Sequence, residues 1–145
     1  MYTHILLPTD GSDLSMHAVD AGIQLASRLD AKVLGLHVAP RYPVMSYMTE
    51  IVTISESQYN EESAERAERY LAEITARAKA AGVACDTHYT FDDHPAKVIA
   101  AIAEERGCDL IVMASHGRRG FDRLLLGSET QRVLLGSKLP VLVCR

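Results

Sequence analysis

The chain has 145 residues, 48% of them hydrophobic, and a net charge of −4. This length suits one domain, so residues 1–145 are expected to form a single folded unit. The negative charge argues against nucleic acid as the main partner, because neutralising a phosphate backbone requires a basic surface.

The first elements are predicted from a short apolar run and from a stretch in which apolar residues recur at helical spacing. Residues 5–7 predict a buried strand that ends at Pro8. Apolar residues at helical spacing from Leu14 onward predict a helix, with Ser12 as its N-cap and Asp13 in its first turn. Residues 33–38 predict the second strand.

The middle of the chain predicts an irregular loop and a long helix. Residues 40–55 form a predicted loop long enough to be functional or mobile. The helix is expected from about residue 56 to 81 and is stopped by Gly82. Its apolar stripe is narrow, so most of its surface should face water. Residues 83–91 predict the third strand.

The last third predicts two shorter helices and two strands. Pro95 suits the first position of a helix that ends at Gly107. Residues 110–114 are almost all apolar, as in a central strand covered on both faces. Residues 128–136 predict a short helix, and 141–144 predict the final strand.

This order of elements predicts an α/β fold. Repeated strand–helix alternation is typical of a five-stranded parallel open sheet, doubly wound and Rossmann-like, with helices on both faces. The expected strand order is 3-2-1-4-5. In such a sheet a ligand binds beyond the carboxyl ends of the strands, where the winding direction reverses. The segments to search are therefore residues 8–12, 38–40 and those following 114.

Residues 114–131 carry the strongest binding signal. Gly117 directly follows a buried strand and would let a ligand approach backbone N–H groups. Gly127 and Ser128 open a helix whose free N–H groups form an anion site. Arg118 and Arg119 lie between the glycines, within reach of phosphate oxygens.

The same residues allow an alternative without a ligand. Ser128 and Gln131 match the S-x-x-Q capping box, which would occupy the same N–H groups. Arg118 and Arg119, taken singly, are more often solvated surface charges. Spacing alone leaves both interpretations open.

The segment also resembles a known signature. The universal stress protein family carries Gly-x2-Gly-x9-Gly-Ser/Thr, which is matched here as Ala114-x2-Gly117-x9-Gly127-Ser128. ILLPTDGS at the start, LGLHV in the second strand, DLIVMASHGRRG and the closing KLPVLVCR are similar to that family as well. The resemblance spans the chain, with one departure. Ala114 would be strained if its position needs a positive φ, and would serve if it needs only a small residue.

The resemblance implies an ATP or AMP site, with Mg²⁺ accompanying ATP. By similarity to ATP-binding members, Asp10, with Pro8 and Thr9, would contact the adenosine. The main chain of Val38 would pair with the adenine edge. Ribose and phosphates would be held largely by backbone N–H groups of Ala114, Gly117, Gly127, Ser128 and Glu129. Without the resemblance, Asp10 is an ordinary helix-entry residue.

No dedicated catalytic apparatus is evident. The chain has no G-x-x-x-x-G-K-[ST] loop, and every lysine lies away from the glycine segment. His116 could act as a general base beside a phosphate, although a local hydrogen bond is the commoner role for a loop histidine. No residue pattern predicts a metal cage. At most, slow ATP hydrolysis is expected.

Partners and location follow from the two ends of the chain. An apolar edge strand tends to pair with another chain, and the resemblance implies a homodimer through the strand from Val141 to Arg145. The N-terminus lacks a basic n-region and the three cysteines suit a reducing compartment, so a cytoplasmic protein without a membrane segment is expected.

Three functions compete at this point. The first is a nucleotide-binding regulatory or stress-response module that acts as a homodimer. The second is a protein-interaction module of the same fold that binds no nucleotide, which the Ala114 departure favours. The third is a slow ATPase or a nucleotidyl-transferring enzyme.

Overall fold

A computed structural model describes residues 1–43, 54–117 and 125–145. The elements in chain order are β1 (His4–Pro8), α1 (Asp13–Leu29), β2 (Lys32–Ala39), α2 (Glu56–Ala80), β3 (Cys85–Phe91), α3 (Pro95–Glu105), β4 (Leu110–Ala114), α4 (Ser128–Gly136) and β5 (Val141–Cys144). All strand pairs in the sheet are parallel and the strand order is β3-β2-β1-β4-β5, so the predicted fold class is confirmed. The winding direction reverses between β1 and β4.

The element boundaries differ from the predicted ones in few places. β3 begins at Cys85 rather than at residue 83, because the amide of Val83 donates to the carbonyl of Ala78 at 2.9 Å and closes α2. Ser12 caps α1 as predicted, accepting a hydrogen bond from the amide of Ser15 at 3.2 Å. Most of the predicted loop, residues 44–53, lies outside the described residues.

Two hydrophobic cores lie on opposite faces of the sheet. Successive residues of a strand point to opposite faces, so each central strand supplies both cores. Burying a large aliphatic side chain contributes about 1.5–3 kcal/mol. One core, under α1 and α2, contains Ile5, Leu7, Val19, Val33, Ile74 and Val112, and the other, under α3 and α4, contains Leu6, Leu34, Leu36, Ile99, Ile111 and Val133.

Within the described ranges, no helix is both long enough and apolar enough to cross a membrane.

At the amino edge of the sheet, Asp109 ties the start of β1 to the start of β4. Its carboxylate accepts hydrogen bonds from the amide and the hydroxyl of Thr3, both at 2.8 Å, and from the amide of His4 at 3.0 Å. Burial opposes the charged form of Asp109, but these hydrogen bonds hold its pKa below the usual value. The ring of His4 is buried, and its Nε2 has no hydrogen-bond partner among the described residues. Burial, aided by Lys32, lowers the pKa of His4.

The environments of His4 and Asp109 predict that the protein loses stability in mild acid. The unfolded chain protonates His4 near its ordinary pKa of 6.5, whereas the buried ring resists protonation, so stability declines as pH falls from that value toward the lowered pKa of the folded state. Protonation of Asp109 adds a second loss at lower pH. Urea unfolding of His4→Val between about pH 5 and 7 should show a shallower decline than the parent. His17→Gln, at an exposed position of α1, is the control, and an unchanged decline in His4→Val would contradict the assignment.

Candidate functional site

The turn after β1 presents a carboxylate at the carboxyl edge of the sheet. Asp10 Oδ1 accepts a hydrogen bond from the amide of Ser12 at 2.9 Å, which closes an Asx turn. Gly11, inside this turn, has φ +80°, a conformation that favours glycine. The turn thereby places Asp10 directly beyond β1, at the point where α1 begins.

The turn after β4 lies beside Asp10. The amide of Ser115 donates to the carbonyl of Cys144 at 2.7 Å, and its hydroxyl is hydrogen-bonded to Nδ1 of His116 at 3.0 Å. His116 therefore makes the local hydrogen bond that is usual for a loop histidine. A Cβ added to Gly117 would lie 2.5 Å from Asp10 Oδ2. The two predicted loops thus meet where the winding direction reverses.

The start of α4 is held against the same turn. The amide of Gly127 donates to the carbonyl of Ser115 at 2.7 Å. A Cβ at Gly127 would lie 2.9 Å from His116 Cα, although φ −59° and ψ 149° suit any residue. Glycine is therefore needed here for space rather than for its dihedral freedom. The expectation of a free amide at Gly127 is wrong, because that amide fastens α4 to the end of β4.

The capping box that would have competed with a ligand does not form. The N-cap of α4 is Gly127, and Ser128 is the first residue of the helix. The amide of Gln131 donates to the carbonyl of Gly127 at 3.0 Å, and its side chain donates to the carbonyl of Leu126 at 2.7 Å. The Ser128 side chain therefore does not cap the first turn of α4.

The side chain of Glu129 has a structural role. Its Oε2 accepts a hydrogen bond from the amide of Ala96 at 3.2 Å, at the start of α3, and its Oε1 is paired with Arg132. Carboxylates are favourable at a helix N-terminus because of the partial positive charge there. Any contact of Glu129 with a ligand at α4 is thus left to its main chain, as the resemblance implies.

Ala114 fits its position without strain. It pairs with Cys144 in the β4–β5 register, and its carbonyl accepts a hydrogen bond from the Thr130 hydroxyl at 2.9 Å. Among the described non-glycine residues, only Asp30 has a positive φ. The departure from the family signature is therefore a small-for-small replacement.

The remaining predicted positions are placed as follows. Pro8 is the last residue of β1, and Val38 pairs with Thr90 near the carboxyl end of β2. Arg118 and Arg119 lie outside the described residues.

Sequence reasoning missed two aromatic residues beneath this site. His37 Nδ1 lies 2.8 Å from the carbonyl oxygen of Thr9, and its ring contacts that of Tyr70 edge to face at 5.2 Å. The sequence did show a histidine inside an otherwise apolar strand, near the carboxyl end of that strand, where ligands are expected to bind. Tyr70 lies on the partly exposed α2 and gave no signal of its own.

The two turns and the start of α4 bring complementary groups together. Asp10 supplies carboxylate oxygens, which can only accept hydrogen bonds. The first turn of α4 supplies N–H groups and the positive end of a helix dipole. A side chain at Gly117 would collide with the Asp10 carboxylate, and one at Gly127 would collide with the backbone of Ser115 and His116. The chain is thus a doubly wound α/β protein, a fold in which ligands bind beyond the strand ends where the winding direction reverses.

The comparisons identify the family. The sequence model of the universal stress protein family matches residues 1–145, and the chain belongs to that family. It is 34% identical over 145 residues to universal stress protein MJ0531 of Methanocaldococcus jannaschii, covering 100% of this chain and 83% of that one. It is also 34% identical to YxiE of Bacillus subtilis, covering 100% of both. The crystal structure of a universal stress protein in complex with cAMP is similar with a TM-score of 0.74 and 25% identity, covering 99% of this chain and 97% of that one.

Proposed function

We propose that this protein binds an adenine nucleotide, ATP or AMP, at the crevice between the β1 and β4 turns and acts as a regulatory or stress-response module. The observation that carries the proposal is the contact between the Asp10 carboxylate and Gly117, which joins the two turns at the switch point. The similar universal stress protein in complex with cAMP supports an adenine nucleotide as the ligand.

In this proposal, each part of the nucleotide would meet groups of matching chemistry. The Asp10 carboxylate would accept hydrogen bonds from ribose hydroxyls, which are donors. The main chain near Val38 would meet the adenine edge, and the backbone of Pro8 and Thr9 would line the adenosine. Main-chain N–H groups at the start of α4 would bind phosphate oxygens, with Mg²⁺ accompanying ATP.

A charge placed at the start of α4 tests this assignment. Ser128→Glu is expected to weaken ATP binding by about a hundredfold or more, because a carboxylate would face the phosphates at close range. The melting temperature of the free protein should not fall, since a carboxylate in the first turn of a helix is stabilising. Isothermal titration with ATP and AMP measures the effect.

The matched control is Ser128→Gln, which has the size of glutamate without its charge. This variant should bind ATP far more tightly than Ser128→Glu. If Ser128→Glu binds ATP as tightly as the parent, the phosphate site is elsewhere. If neither ATP nor AMP at millimolar concentration raises the melting temperature of the parent, the nucleotide proposal fails, because a ligand of the folded state must stabilise it.

We also propose that the protein acts as a homodimer through its terminal strand. β5 lies at the edge of the described sheet, and Leu142 on it is 44% exposed. Leu134 and Leu135 on α4 are 41% and 88% exposed. Leu142→Lys should shift the protein toward the monomer in sedimentation analysis, and a parent that is itself monomeric at high concentration would contradict the dimer.

A further inference from the structure

Thr9 is anchored through all of its polar groups. Its amide donates to the carbonyl of Leu36 at 2.9 Å, and its hydroxyl lies 2.8 Å from the Ser15 hydroxyl. The same hydroxyl accepts the amide of Gly11 at 3.0 Å. Its carbonyl bonds to His37. Thr9 is buried, so the residue directly before Asp10 is fixed to β2 and to α1 at once.

His37 is the link from this residue to the neighbouring strand. A carbonyl oxygen only accepts hydrogen bonds, so Nδ1 of His37 carries the proton and donates to the Thr9 carbonyl. His37 is buried, and its neighbour Leu36 belongs to the core under α3 and α4. Because strand residues alternate, His37 points to the face covered by α1 and α2.

Tyr70 of α2 completes the support from that face. Its ring contacts the His37 ring edge to face, at 5.2 Å between centroids and 78° between planes. A Cβ built on Gly11 would lie 2.2 Å from Tyr70 Cζ. The tyrosine ring therefore lies directly against the backbone of the turn, next to Asp10.

We propose that His37 and Tyr70 are positioning residues for the nucleotide site. His37 fixes the Thr9 carbonyl and Tyr70 supports the backbone of Gly11, and together they hold the Asp10 carboxylate against Gly117. The role of Asp10 toward a ligand rests on the proposed function, whereas its placement can be measured without a ligand. Through this contact α2 joins the crevice although it contributes no residue to the predicted ligand contacts.

Substitutions at His37 separate the hydrogen bond from the ring. Asparagine places an amide N–H where Nδ1 of histidine lies, so His37→Asn keeps the donor, and His37→Leu removes it and leaves a buried carbonyl unpaired. Affinity for AMP should fall by about tenfold or more in His37→Leu and stay within about threefold of the parent in His37→Asn. A general loss of packing would affect both variants alike.

Substitutions at Tyr70 test the second support. Tyr70→Phe keeps the ring over Gly11, and Tyr70→Ala removes it. AMP affinity is expected to fall by about tenfold in Tyr70→Ala and to fall clearly less in Tyr70→Phe, which keeps the ring. Every titration is made well below the melting temperature of the least stable variant, so that folding does not limit binding.

The amide NMR spectrum of the ligand-free protein distinguishes the two proposals. In His37→Leu and Tyr70→Ala, the amide resonances of Gly11, Ser12 and Gly117 should shift, and in His37→Asn those of Gly117 should stay near the parent positions. If the parent binds no ATP or AMP, the proposed function fails while the spectra still decide whether these residues place the turn. Unchanged Gly11 and Gly117 resonances in both disruptive variants would overturn the positioning role.

Discussion

Gly127→Ala is expected to abolish measurable ATP binding and to lower the melting temperature by roughly 5–10 °C. The new Cβ would lie 2.9 Å from His116 Cα and 3.0 Å from the Ser115 carbonyl oxygen. Both contacts are with backbone, which cannot move aside as a side chain does. The start of α4 would have to separate from the end of β4, which lengthens the hydrogen bond from the Gly127 amide to the Ser115 carbonyl. Isothermal titration and thermal unfolding measure the two effects.

The control for this variant lies at the other end of the same helix. A Cβ at Gly136 would meet no atom within 4 Å, so Gly136→Ala should leave ATP affinity and stability close to those of the parent. Equal ATP affinity in Gly127→Ala and the parent would show that the close approach of α4 to β4 is not needed for the site.

Gly11→Ala is expected to destabilise the protein most among the glycine variants. Its φ of +80° would strain an alanine by about 1–2 kcal/mol. Its Cβ would also lie only 2.2 Å from Tyr70 Cζ, far closer than van der Waals contact allows. We expect a decrease in melting temperature of roughly 10 °C, together with loss of nucleotide binding, because the Asp10 turn must move.

Gly82→Ala separates the cost of the positive φ from the cost of the clash with Tyr70. Gly82 has a similar φ of +70°, and its Cβ would meet no atom within 4 Å. This variant should lose about half as much stability as Gly11→Ala and should keep its nucleotide affinity. Adding Tyr70→Ala to Gly11→Ala should cost less than the sum of the single changes, since the ring that clashes is then gone. Equal losses in Gly11→Ala and Gly82→Ala would contradict the role given to Tyr70.

The fold could be predicted from sequence because its signals are local and periodic. The apolar run at 110–114 predicts a doubly covered strand, and Ser12 and Pro95 mark the starts of two helices. Where the boundary of β3 was missed, the cause is a tertiary hydrogen-bonding detail: Val83 closes the preceding helix before the strand begins. The spacing of hydrophobic residues does not indicate to which carbonyl a given amide donates its hydrogen bond.

The sequence predicted which turns meet where the winding direction reverses, but not the hydrogen bonds between them. Spacing placed Gly117 and Gly127 together, yet it could not show that the amide of Gly127 is already bonded to Ser115. It also could not decide between N-cap positions at Gly127 and Ser128, because both residue types are favourable there. His37 and Tyr70 escaped notice because their contacts join residues far apart in the chain.

The two sides of the proposed nucleotide site belong to elements that pack in different hydrophobic cores. The turn that carries Asp10 leads into α1, which covers one face of the sheet, and the helix that begins after Gly127 covers the other. A ligand that contacts both the Asp10 turn and the start of α4 would connect the helix layers on the two faces of the sheet, which have separate hydrophobic cores. Ligand binding should then slow amide hydrogen exchange in both helix layers, at the ends next to the ligand, and not in the turn alone.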